Sequence, residues 1–282
     1  MKPTPHLVAS SLITLLLYLT STTTVTAEEL DQKTFSIGVV PQFDARKIHK
    51  IWAPILKELE KSTGYRFKLM GAPTIPEFEK EFNAGHFDFA YMNPYHVLLA
   101  NKHQGYVPLV RDVGRRLHGV LTVKKDSPIS SPAELDGKII SFPAPNALGA
   151  SLMIQADLQD IFNIKIKPRH VKTHSSVYLN VALGVSSAGG GVQKTLNQQP
   201  VEIRDTLRVL YKTRDVAPHP FSAHPRVPQK ITAQVKKLLL ELGNTPHGQA
   251  LLKNIPIKKI GNSSMEDYRP LNEIGLERFY AE

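Results

Sequence analysis

The stretch KIISFPAPNALGASLMIQADLQDI, residues 138–161, sets a short apolar run directly before a helical pattern. Ile139-Ile140-Ser141-Phe142 suits a buried strand. Pro143 and Pro145 end it, since neither can donate to a sheet ladder. From Ala147 onward Leu148, Leu152, Ile154, Leu158 and Ile161 recur at helical spacing, with Asn146 as the expected N-cap. A strand that turns straight into a helix leaves unpaired backbone N–H groups at the positive end of the helix dipole, a seat for an anion. The same pattern also serves as one more βα unit of an α/β core. Spacing alone leaves both readings open.

Histidine is the other residue type with chemistry to offer, at eleven positions. His170 with His174, and His219 with His224, are spaced closely enough to suggest ligation. No acid joins either pair at ligand spacing, however, and H-E-x-x-H is absent. No metal and no cofactor is expected. G-x-S-x-G and G-x-x-x-x-G-K-[ST] are also missing. Gly189-Gly190-Gly191 lacks dinucleotide-binding spacing and reads as a close approach of backbone at a cleft. With no catalytic constellation, the chain is expected not to be an enzyme.

The elements that must position these groups alternate. Strands are predicted at 34–40, 65–70, 87–91 and 107–110, with helices at 47–61, 75–84 and from Pro94 to about Lys102 between them. Pro54 falls inside the first helical pattern and marks a first turn or a kink. A second block follows: strands at 119–124, 139–142, 165–171 and 207–211, and helices opening at Ser131, Ala147 and Ser175. A Pro/His-rich connection, 217–228, leads to helices at 231–242, 248–254 and 266–280. The order βαβαβαβ favours an α/β fold with ligands at the carboxyl ends of strands. The chain leaves the first block near residue 115 and returns near 215, which is hinge architecture.

Residues 1–27 read as a cleavable leader: Lys2, an apolar run from Leu7 to Leu19 too short to span a bilayer, then Val25-Thr26-Ala27. Export to a bacterial periplasm is expected. Without cysteine there is no disulfide and no lipid anchor, so a soluble mature chain is expected. The formal charge of +10 suits anionic partners, but the lysines are scattered and no basic run carries interleaved aromatics. Nucleic acid is not expected. At 282 residues with 41% hydrophobic content, the chain can build one large or two medium cored domains.

Several stretches, taken in order, carry a family resemblance: Pro41 after the first strand, Trp52-Ala53-Pro54 with Leu59 and Gly64, and Gly85-His86-Phe87-Asp88-Phe89-Ala90-Tyr91. Asn93-Pro94-Tyr95, Val123-Lys124-Lys125-Asp126-Ser127-Pro128-Ile129, Leu135-Asp136-Gly137-Lys138 and the His174 segment continue it. Over residues 33–270 the chain resembles the periplasmic substrate-binding proteins of phosphate/phosphite/phosphonate ABC transporters. The resemblance implies two α/β lobes of type II-like architecture with a hinge cleft between them. Residues 28–115 and 215–282 form one lobe, and 116–214 the other. It implies Tyr91, Asn93 and Tyr95 on one side of the cleft. On the other it implies Asn146, Ala147, Leu148, Gly149 and Ser151 at the anion turn, with His174, Ser175 and Tyr178.

Each of these residues has a plainer role open to it. Tyr91, Tyr95 and Tyr178 can be core, Asn93 can cap its helix, and His174 can be structural. The family's hydroxyl-rich anion turn is replaced here by Asn146-Ala147-Leu148-Gly149-Ala150-Ser151. Positions where relatives often carry acids hold Ser175-Ser176 and Ala188-Gly189-Gly190-Gly191, which disfavours an amino-bearing ligand. The expected partners are a small anion and an inner-membrane ABC permease. The alternative partner is a membrane sensor, a histidine kinase or a chemoreceptor. A monomer is expected.

Overall fold

The computed structural model describes residues 33–255 and 257–281, besides Met1. The expected leader lies outside the described residues. Strands β1 (Thr34–Val39), β2 (Arg66–Met70), β3 (Phe89–Tyr91) and β4 (Val107–Asp112) come first. They are followed by β5 (Gly119–Lys124), β6 (Ile139–Phe142), β7 (Lys167–His170), β8 (Ala188–Val192) and β9 (Leu207–Lys212), then β10 (Phe221–Ala223) and β11 (Ile260–Asn262). They form two sheets, one ordered β11-β4-β10-β3-β1-β2 and the other β7-β6-β8-β5-β9. Within the first, β1 runs parallel to β2 and β3, and in the second β6 runs parallel to β7 and β8.

The chain crosses between the sheets twice, after β4 and after β9. The two crossing segments pair with each other: Leu117 and Val216 exchange backbone hydrogen bonds of 2.9 and 2.8 Å. A two-stranded connection of this kind bends more readily than either sheet, as hinge elements do.

Helices α1 (Ala45–Thr63), α2 (Ile75–Asn83) and α3 (Pro94–Gln104) follow the first three strands. Asp44 starts α1 by accepting from the Lys47 backbone N–H at 3.0 Å, and Gly64, at φ 75°, ends it. Pro54 lies well inside α1, whose buried face is Trp52, Ile55, Leu56 and Leu59. In the second sheet α4 (Met153–Asp160), α5 (His174–Ala182) and α6 (Gln193–Asn197) follow β6, β7 and β8. One core gathers Phe35, Ile37, Phe78, Phe82 and Phe89, and another gathers Leu121, Ile140, Phe142 and Leu158. The first core also takes in Leu148, Leu152, Met153 and Ala156 from the turn after β6, so the two lobes meet there.

Several expectations are corrected. The glycine run, expected as backbone at a cleft, is β8, an internal strand of its sheet. A Cβ at Gly190 would overlap the Ala150 carbonyl and the Phe142 ring, and one at Gly191 would overlap the Tyr178 hydroxyl. The close approach is therefore to packed core, not to open cleft. The Pro/His-rich connection contains β10, and β11 was not foreseen. The single helix expected over 266–280 is three 3-10 turns, Met265–Asp267, Arg269–Ile274 and Leu276–Phe279. Pro270 lacks an N–H, and Gly275 sits in the left-handed region at φ 66°, so neither continues a helix.

No helix among the described residues is long and apolar enough to cross a membrane.

Candidate functional site

Five loops at the carboxyl ends of parallel strands supply the polar groups of one cluster, where open α/β sheets place their ligands. After β1 come Gln42 and Phe43, and Lys47 on α1. After β3 comes Asn93. After β6 comes Asn146, after β7 His174, and after β8 Lys194 and Thr195. His219 adds itself just before β10.

Short contacts tie some of these residues together. Gln42 Nε2 donates to His219 Nε2 at 2.8 Å, and the Tyr91 ring stacks on the His219 ring with centroids 5.5 Å apart. His174 Nδ1 and the Thr195 hydroxyl are 3.2 Å apart. Neighbouring Lys194 reaches across to Phe43, its Nζ 5.5 Å from the ring centroid, while Lys47 Nζ sits 3.9 Å from the same centroid. The cluster thus spans both lobes.

Its electrostatics are those of a half-buried, cationic place. Burial pushes His174 down to about 4. It pushes His219 to about 3, with His96 and Lys194 adding to the effect. Both imidazoles are therefore neutral at neutral pH. Lys194 is lowered to about 8 by burial first and then by Arg115 and Lys47. Neutral hydrogen-bonding side chains beside unpaired ammonium groups are a fit for an oxyanion and a poor fit for a cation.

The anion turn differs from expectation. Asn146 is not a helix N-cap. The helix opens as a π-turn, Leu148–Leu152, preceded by Ala147 with no side-chain cap. The Asn146 amide points elsewhere: Nδ2 donates to Glu79 Oε2 at 2.8 Å and to the Ala281 carbonyl at 2.7 Å, and Oδ1 accepts from the Ala281 N–H at 2.9 Å. All its side-chain capacity goes into holding the lobes together. Single π-turns within helices often mark functional places. This one buries Ala147, Leu148, Gly149 and Ser151 at the lobe contact.

Asn93 caps α3, its Oδ1 accepting from Tyr95 and His96 N–H groups at 2.9 and 2.8 Å. Its Nδ2 donates across the lobe contact to the Asn146 carbonyl at 3.3 Å. His96 Nε2 completes this buried network on Glu79 Oε1 at 2.8 Å.

Tyr95 packs on Tyr280, ring centroids 5.6 Å apart. Tyr178 lies in the second lobe's interior and touches the cluster through Thr195. It is fully buried, with its hydroxyl on the Val192 carbonyl at 3.2 Å and on Thr195 at 2.8 Å. Ser175 is exposed on the first turn of α5, which Thr173 caps through Ser176 N–H.

Gln42, Phe43, Lys47, Lys194, Thr195 and Glu79 were not singled out from the sequence. From the sequence His219 suggests only half of a metal pair with His224. His224 instead packs edge-on against Tyr106 at 4.9 Å. The usable signal was positional: Gln42 and Phe43 directly follow a parallel strand, as Asn93 and His174 do.

A sequence model for the phosphonate ABC transporter periplasmic substrate-binding proteins matches residues 37–268. The chain belongs to that family. Solved structures agree on the fold. A binding protein component of an ABC phosphonate transporter from Pseudomonas aeruginosa is 17% identical, covering 88% of each chain with a TM-score of 0.74. A protein from Prochlorococcus marinus in complex with methylphosphonate is 15% identical. The match covers 88% of this chain and 99% of that one, at TM-score 0.78. A protein from Xanthomonas citri bound to ATP is 16% identical, covering 87% and 98%, at TM-score 0.73. The family is one of periplasmic substrate binding for ABC transport, and the match lends the sensory alternative no support.

Proposed function

We propose that this protein captures a small phosphonate-type oxyanion in the cleft between its two lobes and delivers it to an inner-membrane ABC permease. We assign the described parts of residues 28–115 and 215–282 to one lobe, and residues 116–214 to the other. The observation that carries the reading is the cluster itself: Gln42, His219, His174 and Thr195 gathered from both lobes, beside Lys47 and Lys194. A ligand bridging donors on two lobes stabilises the closed form only, so binding shifts the population toward closure. Tyr91 supports the site by stacking on His219. Asn93 and Asn146 hold the lobe contact beside it. The backbone N–H groups that open the π-turn at Leu148 add donors at the positive end of a helix.

The protein from Prochlorococcus marinus was solved with methylphosphonate, which makes that compound the first to try. Isothermal titration with methylphosphonate, phosphite, phosphate and sulfate tests the proposal. Binding of a phosphorus oxyanion, weakened about tenfold or more by His174→Ala, is the expected result. Binding of sulfate alone, or of none of the four, would overturn it.

A further inference from the structure

Lys47 and Lys194 come from different lobes, one on the helix after β1 and the other on the helix after β8. Both ammonium groups sit against one aromatic ring, Phe43, at 3.9 and 5.5 Å from its centroid. They therefore lie within about 10 Å of one another, comparable to the Debye length of about 8 Å at physiological salt. Among the described residues neither is in an ion pair. Arg115, which acts on Lys194, is itself paired with Asp112 at 2.8 Å. The Asp44 carboxylate caps α1 on the Lys47 backbone N–H.

Such a pair is ill suited to a neutral or cationic substituent. Closing the lobes brings exposed Lys47 and half-buried Lys194 to one ring, and a single oxyanion held by His174 and Thr195 is anchored on the Lys194 lobe alone. Two unpaired cations across a cleft are matched by an anion between them.

We propose that the ligand is a phosphonate carrying a second anionic group, a carboxylate, seated between Lys47 and Lys194 at the edge of Phe43. This rests on the phosphonate-type reading above and narrows it. An aminoalkylphosphonate places an ammonium group where the protein has two of its own, and is rejected. The second anion also couples recognition to closure, because it joins charges that only the closed form brings together.

Titration calorimetry on the purified protein compares methylphosphonate, phosphonoacetate and 2-aminoethylphosphonate at low and at physiological salt. Phosphonoacetate should bind on the order of tenfold more tightly than methylphosphonate, and lose more of that affinity as salt rises. The preference should collapse toward unity in Lys194→Gln and in Lys47→Gln, and return in part in Lys194→Arg. Unaltered melting curves of the free variants separate this from misfolding. Equal affinity for methylphosphonate and phosphonoacetate, preference for 2-aminoethylphosphonate, or a preference that survives both glutamine variants would overturn this proposal while leaving the phosphonate reading in place. Failure of all three compounds to bind would overturn both.

Discussion

His219 has Gln42 on one ring nitrogen and Tyr91 across its face, and no anion among the described residues acts on it. Its folded value of about 3, and that of about 4 for His174, lie below the ordinary imidazole range. A group with a depressed folded pKa binds fewer protons folded than unfolded, so stability rises with pH between the two values. The contribution is complete above about 6.5 and is lost as pH falls from there toward 4. Each histidine can cost up to about 1.4 kcal/mol per pH unit across that window, less where solvent reaches the ring. Melting temperatures of the protein and of a His174→Gln/His219→Gln double variant should converge between pH 6.5 and 4. Parallel pH profiles would show that neither imidazole is dry. Tyr178 gives a contrasting case, since its hydroxyl serves the Val192 carbonyl and Thr195 inside the lobe. Tyr178→Phe should lower unfolding free energy by about 1 kcal/mol, read by urea denaturation, with ligand affinity little changed. A large loss of affinity without loss of stability would return Tyr178 to the cleft.

At the scale of elements, β8 shows why some structure was hidden in the sequence. Ala188-Gly189-Gly190-Gly191 has the look of a flexible loop, yet it is an internal strand between β6 and β5. Side chains are missing because there is no room for them: the π-turn carbonyl of Ala150 and the ring of Phe142 lie where a Cβ at Gly190 would go. Gly190→Ala should therefore cost about 1–3 kcal/mol in urea denaturation. Gly71→Ala, with open space and an ordinary backbone, should cost little. Equal effects would mean that the strand yields easily. Elements with both length and period were legible, such as β5 over 119–124 and the amphipathic α1. β10 and β11, three residues each, are too short for alternation to register. The site was legible only in part for a different reason. Asn93, Asn146 and His174 announce themselves at strand-to-helix turns, but Gln42 and His219 are 177 residues apart in sequence and meet only through sheet order.

Across the whole molecule, the C-terminal turns act as a clasp between lobes. Leu271, Ile274 and Leu276 belong to the first core, yet Arg278 forms a two-pronged pair with Asp160 at the end of α4, at 2.9 and 2.6 Å. Three residues on, Ala281 exchanges two hydrogen bonds with Asn146. These contacts join the C-terminal segment of the first lobe to the turn and helix after β6, so they stabilise the closed arrangement. When only a fraction of molecules is binding-competent, apparent affinity falls by that fraction. Both partners of the Arg278–Asp160 pair are well exposed, and such pairs contribute little because solvent screens them. Arg278→Gln should therefore weaken ligand binding by no more than about fivefold. It should also raise the ligand-free radius of gyration in small-angle scattering, while the ligand-bound radius at saturation stays as it is. Asp160→Asn should do the same, and the double variant should add little to either, because both substitutions remove one interaction. A loss of melting temperature with affinity and radius unchanged would make the clasp an ordinary part of the fold. A shift in both readouts would make it a setting of the opening equilibrium, one that acts from outside the cleft.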